Sequence, residues 1–487
     1  GIALGYLPGV PRVTFPPNLT FLLFMPPLVF STAWRASWPE FRANLRPISS
    51  LAVGLVLATM AVVATVAHGL IAGMTWPVAF VLGAVVSTTD PAGVSAVVQR
   101  VHVPRQLVTV LEGESLGNDA ASLVSYRLAV AAVVAGVFSL GGAVAQFAFA
   151  TVAGVAIGLA VGRLYAWLQR RLDSPSVEVT ITLLLPFVAY IPADRVGASG
   201  VLAVVAAGLY AGHRDPEIRS AETRLQALAF WDTLVFVLNG LIFILLGLQL
   251  PIVVGGVAHQ PVAVLARDAA IVTLAVVLVR VLWTVGVTNL LWVLRRATGL
   301  PIRPAKWIEV PVVAWAGVRG ADTLVVALAV PLATSTGGPF PDRALLIFLT
   351  FCVIVTTLLA EGLSLPYVIR WAGLPRDDAA AELARAHAAA HTAAAARIEE
   401  QARVGSLPPG AANLRRYHER RARQYAARAS GDAPPGAPRG ESLRQLRQDV
   451  VAAARQAVLE MRDRGEISED ATRAVLHDLD LEEEQIE

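Results

Sequence analysis

The sequence predicts an all-α polytopic membrane protein that ends in a helical tail outside the bilayer. Three observations carry this expectation. Of the 487 residues, 55% are hydrophobic and only 16% charged, a balance hard to keep dissolved in water at this length. Apolar stretches of about 17 to 25 residues, long enough to cross a hydrocarbon core, recur about eleven times. Arginines gather in every second connection between those stretches, as they do in the cytoplasmic loops of membrane proteins.

Composition also excludes several classes. The net charge of +3 is too small to point to nucleic acid. A single cysteine, Cys352, leaves no intrachain disulfide and no cysteine metal site. The opening residues Gly1 to Pro17 are rich in Gly and Pro, not a basic run followed by an apolar core, so they do not read as a signal peptide.

Taken in order, the apolar stretches lie near residues 18–34, 48–72, 77–99, 107–138, 143–168, 177–193, 198–212, 228–250, 268–294, 307–331 and 343–370. One set of connections holds Arg35, Arg42, Arg46, Arg100, Arg105, Arg170, Arg171, Arg214, Arg219, Arg224, Arg295, Arg296, Arg303, Lys306, Arg370 and Arg376. The alternate set holds little beyond Arg12, Arg195, Arg267 and Arg343. The first set is therefore expected in the cytoplasm, and the tail with it. Residues 1–375 form the membrane unit in this reading, and 376–487 a tail rich in Ala, Arg and Glu, with breaks at Pro408-Pro409-Gly410 and Gly431 to Gly440. The tail is expected to form short amphipathic helices that aid solubility or assembly, or that regulate.

Two stretches are interrupted where a simple span would be uniform. Ser87-Thr88-Thr89-Asp90-Pro91 breaks the third, and Ala316-Gly317-Val318-Arg319-Gly320-Ala321-Asp322 breaks the next to last. Interruptions at corresponding positions of two halves point to a transport site built by an inverted repeat. Asp90 before Pro91 also suits the N-cap of a second half-helix, and unwound backbone at Thr88 and Thr89 would free carbonyl oxygens for a small cation. Arg280 and Arg319 sit in apolar stretches and need partners there; Glu114, Asp322 and Glu112 are the options.

The fourth stretch carries the densest chemistry. In Glu112-Gly113-Glu114-Ser115-Leu116-Gly117-Asn118-Asp119, a helix puts Glu114 with Asn118 and Ser115 with Asp119 on neighbouring strips of one face. Ionisable groups at membrane depth face a bundle interior or water, where they carry ions or protons. The oxygen-only donor set favours Na⁺, with Li⁺ as a surrogate and K⁺ left open.

This run resembles the signature of the cation/proton antiporter-1 family, the NhaP-type bacterial sodium/proton antiporters and their animal exchanger relatives. Pro26-Pro27-Leu28-Val29-Phe30, Thr89-Asp90-Pro91, Leu238-Asn239-Gly240-Leu241-Ile242-Phe243, Trp315-Ala316-Gly317-Val318-Arg319-Gly320 and Gly362-Leu363-Ser364-Leu365-Pro366 follow in family order. The resemblance implies an inverted-repeat antiporter fold, with two crossed, unwound helices in a core domain beside a dimerisation domain, working by an elevator-like movement. It implies that Asp119 holds cation and proton in turn, that Asn118 supports it, and that Glu114, Ser115 and the Thr89 backbone help bind Na⁺. Asp90, Arg280 and Arg319 then balance charge at the helix breaks. Asn118 before Asp119 implies electroneutral, one-for-one exchange.

The partners implied are a monovalent cation, protons, the bilayer and a second copy in a homodimer; no cofactor and no enzymatic activity are expected. Usage rich in Ala and Arg points to a GC-rich bacterial genome, and a bacterial inner membrane is therefore expected. Two features depart from the family: Ser31 stands where many members have a Glu that pairs with the residue matched to Arg280, and Gly1 to Gly9 align near the end of the family's first helix. Two rivals remain, a passive cation channel or sensor and an intramembrane aspartyl protease using Asp90 and Asp119.

Overall fold

A computed structural model gives the fold; it describes residues 17–90, 103–136, 139–172, 174–298, 306–334, 337–374, 379–405 and 409–430, with scattered positions between 450 and 475. It divides into two compact units, Gly1–Asp377 and Asp378–Glu487. Both are helical, and no strand is formed among the described residues.

In the first unit, every apolar stretch of the sequence has a helix. They are α1 (Pro17–Arg35), α2 (Trp38–Ala43), α3 (Leu45–Leu70), α4 (Trp76–Val85), α5 (Arg105–Ala135), α6 (Leu140–Gln169), α7 (Pro175–Arg195), α8 (Gly200–Ile218), α9 (Ala221–Val257) and α10 (Val262–Thr298). The two half-helices α11 (Val310–Trp315) and α12 (Ala321–Leu328) follow, then α13 (Arg343–Ala372). Among the described residues six helices, α3, α6, α7, α9, α10 and α13, are long and apolar enough to cross a membrane. α3 and α13 each contain a π turn, Ser50–Leu55 and Leu358–Gly362.

Where apolar burial is no guide between helices, close packing needs small residues. Helix α6 supplies them at every fourth position, with Gly154 and Gly158 facing α8. A Cβ on Gly158 would stand 2.2 Å from the Ala203 carbonyl oxygen, and one on Gly154 2.6 Å from that of Ser199. Gly212 of α8 meets α1 in the same way, 1.9 Å from the Trp34 carbonyl. These glycines bring α1, α6 and α8 backbone to backbone.

Both expected interruptions are real. α4 ends at Val85, and the backbone from Ser87 to Asp90 is non-helical. The half-helix expected after Pro91, and with it the capping role of Asp90 there, lies outside the described residues. The second stretch breaks between Trp315 and Ala321, leaving α11 and α12 end to end. The two breaks cross reciprocally: Asp90 N–H donates to Val318 C=O at 2.9 Å, and Arg319 Nε donates to Val86 C=O at 3.1 Å. Thr88 and Thr323 hydroxyls join them at 2.7 Å.

In the second unit, α14 (Ala379–Val404) and α15 (Ala411–Ser430) pack together as a hairpin. Gly410, at φ +94°, supplies the left-handed residue at its turn. His391 and His418 face each other across it, Nδ1 to Nδ1 at 2.9 Å, and His387 and His391 stack on Tyr425.

Candidate functional site

The crossing collects buried charge in an order that the helix ends explain. A helix carries partial negative charge at its C-terminus and partial positive charge at its N-terminus. Arg319 sits where two half-helices end, donating to the carbonyls of Val86 and Gly317. Arg280 of α10 donates from Nε to Val313 C=O, in the last turn of α11, at 3.1 Å. The Asp90 carboxylate lies against Gly320 at the start of α12, so close that a Cβ there would be 1.8 Å from its Oδ2. Gly317 is equally required, since a Cβ would meet Arg280 Cδ at 2.5 Å. Cations thus stand at C-terminal ends and an anion at an N-terminal end.

Helix α5 passes this crossing with its polar face inward, and Glu114, Ser115, Asn118 and Asp119 are all buried. The question of what pairs with Arg280 has a definite answer. Its Nη1 and Nη2 hold the two oxygens of Glu114 at 2.5 and 2.9 Å. Ser31 takes no part, because its hydroxyl donates to Leu28 in its own helix at 2.8 Å.

From Glu114 a chain of hydrogen bonds runs to the next turn. Thr89 donates its hydroxyl proton to Glu114 Oε1 at 3.3 Å and accepts from Asn118 Nδ2. This turns the Asn118 amide so that its oxygen points away from Thr89. Ser115 donates to the Thr89 carbonyl at 3.1 Å, fixing the unwound backbone, and Ser122 donates to the Ala84 carbonyl in the last turn of α4 at 2.7 Å. Glu114, expected from the resemblance as a cation ligand, has both oxygens engaged, by Arg280 and by Thr89.

Two buried oxygens of the Glu114–Asp119 run are left over. Among the described residues, Asp119 Oδ1 and Asn118 Oδ1 have no hydrogen-bond partner. A buried acceptor without a partner costs about 1–3 kcal/mol, more when charged, so each such atom calls for a physical explanation. A carboxylate oxygen and an amide oxygen on consecutive residues can hold a proton or a hard monovalent cation.

Two residues that sequence reasoning did not place in the site belong to its surroundings. Asp322 of α12 is buried and, with Asp90, is the carboxylate whose charge Asp119 feels. The sequence offers it as an arginine partner; its place in the first turn after the second break is the signal for the site. Glu361, at the π turn of α13, is buried beside both arginines and gave no signal of its own.

The transmembrane sodium/hydrogen exchanger family matches residues 1–371 of this sequence. The chain belongs to that family. An uncharacterized Na⁺/H⁺ exchanger of Mycobacterium tuberculosis is 37% identical over 500 aligned residues, covering 100% of this chain and 90% of its own. The sodium, potassium, lithium and rubidium/H⁺ antiporter of Bacillus subtilis is 35% identical over 72% of this chain and 53% of its own. Among solved structures, the sodium proton antiporter MjNhaP1 from Methanocaldococcus jannaschii at pH 8 superposes with a TM-score of 0.56 at 20% identity. That match covers 74% of this chain and 91% of MjNhaP1, and it shows the same antiporter fold. The exchanger is thus a cation/proton transporter of the membrane, and the protease reading falls.

Proposed function

We propose that the protein exchanges Na⁺ for H⁺ one for one, with both cargoes competing for Asp119. The observation that carries this is the unpartnered pair of buried oxygens, Asp119 Oδ1 and Asn118 Oδ1, beside a Glu114 already neutralised by Arg280. With Glu114 and Arg280 closed on each other, Asp119 is the fully buried carboxylate of α5 left to exchange. A single carboxylate cannot hold a proton and a cation together. If the empty charged site does not cross the membrane, that exclusion alone couples the two fluxes.

In this reading Asp119 is the exchanging group, Asn118 Oδ1 a second ligand, and Ser115 and Thr89 the residues that shape the site. Glu114 and Arg280 hold the Asn118 amide in place through Thr89, and Asp90 and Arg319 keep the broken helices matched in charge. The crossing moves as a body between the two membrane faces, in a homodimer in a bacterial inner membrane with the tail in the cytoplasm. The name of the B. subtilis relative includes potassium, lithium and rubidium, which widens the cargo to be tried beyond Na⁺.

The test is proton movement in vesicles holding the purified protein and a pH dye, on separate pulses of Na⁺, Li⁺, K⁺ and Rb⁺. Wild type collapses an imposed pH gradient and Asp119→Asn does not. A collapse that survives Asp119→Asn removes this assignment, and cation entry without proton movement marks a passive channel instead.

A further inference from the structure

The π turn of α13 presents a face to the second break. Thr357, Glu361 and Ser364, spaced four and three residues apart, share one side of the helix. The outer two are bonded to the broken segment: Thr357 Oγ1 accepts from Arg319 N–H at 3.1 Å, and Ser364 Oγ accepts from Trp315 Nε1 at 2.7 Å. Between them Glu361 is 3% exposed, and its Oε2 has no hydrogen-bond partner among the described residues. A π turn inside an α-helix often marks a functional position, because it re-aims a side chain at a cost in helix regularity.

The charges that face Glu361 are Arg319, on the break between α11 and α12, and Arg280, on α10. Arg280 is closed on Glu114 of α5. Arg319 is held by the carbonyls of Val86 and Gly317, whose partial charges do not sum to a full counter-charge. A buried guanidinium is tolerated only when it is balanced.

We propose that Glu361 is a positioning residue of the exchange reaction, its carboxylate balancing Arg319 and so setting the charge of the crossing at which Asp119 takes its cargo. Glu361 touches neither cargo. Without its charge the crossing is one unit more positive, and since both cargoes are cations, both bind less tightly. This rests on Asp119 as the exchanging group.

The experiment compares wild type, Glu361→Gln and Glu361→Asp in vesicles, with Na⁺-driven proton flux measured from pH 6 to 9. In parallel, Na⁺-dependent thermal stabilisation of the purified protein over the same range reads binding without transport. For Glu361→Gln the acid limb of both profiles moves about one pH unit lower, and the Na⁺ concentration for half-effect at alkaline pH rises about tenfold, as expected for one charge removed within the protein. Glu361→Asp, which keeps the charge, returns both towards wild type. Glu361→Gln profiles that overlie wild type overturn the proposal, and so does a loss of maximal rate shared equally by Gln and Asp without any shift along the pH axis. A wild type whose flux and stabilisation ignore Na⁺ and the other alkali cations overturns the reading of Asp119, and this proposal with it.

Discussion

Arg280 and Glu114 are 1% and 2% exposed and joined by two short N–H···O bonds, so among the described residues each is a buried charge whose full counter-charge in contact is the other. Exposed ion pairs are worth about 0–1 kcal/mol, whereas removing one member of a buried pair costs about 3–5 kcal/mol, because the survivor is left uncompensated. Arg280→Met and Glu114→Gln are each expected to lose about 4 kcal/mol. The double variant leaves no orphan charge. It still leaves Val313 C=O without its 3.1 Å bond from Arg280, a deficit of about 1–2 kcal/mol. At roughly 2–4 °C per kcal/mol, the singles should fall about 10 °C in apparent melting temperature and the double about 4 °C. The assay is thermal unfolding of the detergent-purified protein, analysed as a double-mutant cycle. A double variant that loses the sum of the singles, or singles within about 2 °C of wild type, refutes the pairing as the reason both residues are there.

Two further outcomes test other parts of the molecule. Gly158→Ala forces a Cβ to 2.2 Å from the Ala203 carbonyl, so α6 and α8 must separate; a loss of about 1–3 kcal/mol in the same assay is expected, and an unchanged melting temperature contradicts the close approach. In the tail hairpin, burial foremost, then the charges of His418, Arg421 and His387, holds His391 below its ordinary value of 6.5. A histidine depressed on folding binds fewer protons folded than unfolded. The hairpin is therefore fully stable above about pH 6.5 and weakens as pH falls below it. Hydrogen exchange of the full chain at pH 5.5 and 7.5, corrected for intrinsic rates, should show faster opening of α14 and α15 at the lower pH. In His391→Gln this difference should shrink, and its absence in wild type refutes the assignment.

The membrane helices were legible because the bilayer is a severe solvent. Backbone bonds must close within each segment, so length and apolarity alone mark Leu140–Gln169 or Val262–Thr298. The breaks were legible for the opposite reason: Thr88-Thr89-Asp90-Pro91 and Gly317-Val318-Arg319-Gly320 are residues a continuous span would not carry. Asp119 and Asn118 stood out as polar groups on one helical face. Which carboxylate closes Arg280 was not legible, since Glu112, Glu114 and Asp322 were equivalent by charge. Glu361 was hidden because one acid in an apolar run has no partner in sequence.

The sequence by itself determined what is local: the helices, their interruptions and the polar face of α5, each dictated by residues within a few positions of one another. Only the tertiary structure decided which charges meet. It closed Arg280 of α10 on Glu114 of α5, 166 positions away, and laid the Asp90 carboxylate against Gly320. It thereby left Asp119 Oδ1 and Asn118 Oδ1 without hydrogen-bond partners among the described residues. The physical reason is that electrostatic balance in a medium of low dielectric depends on distances through space, and chain order does not record those distances.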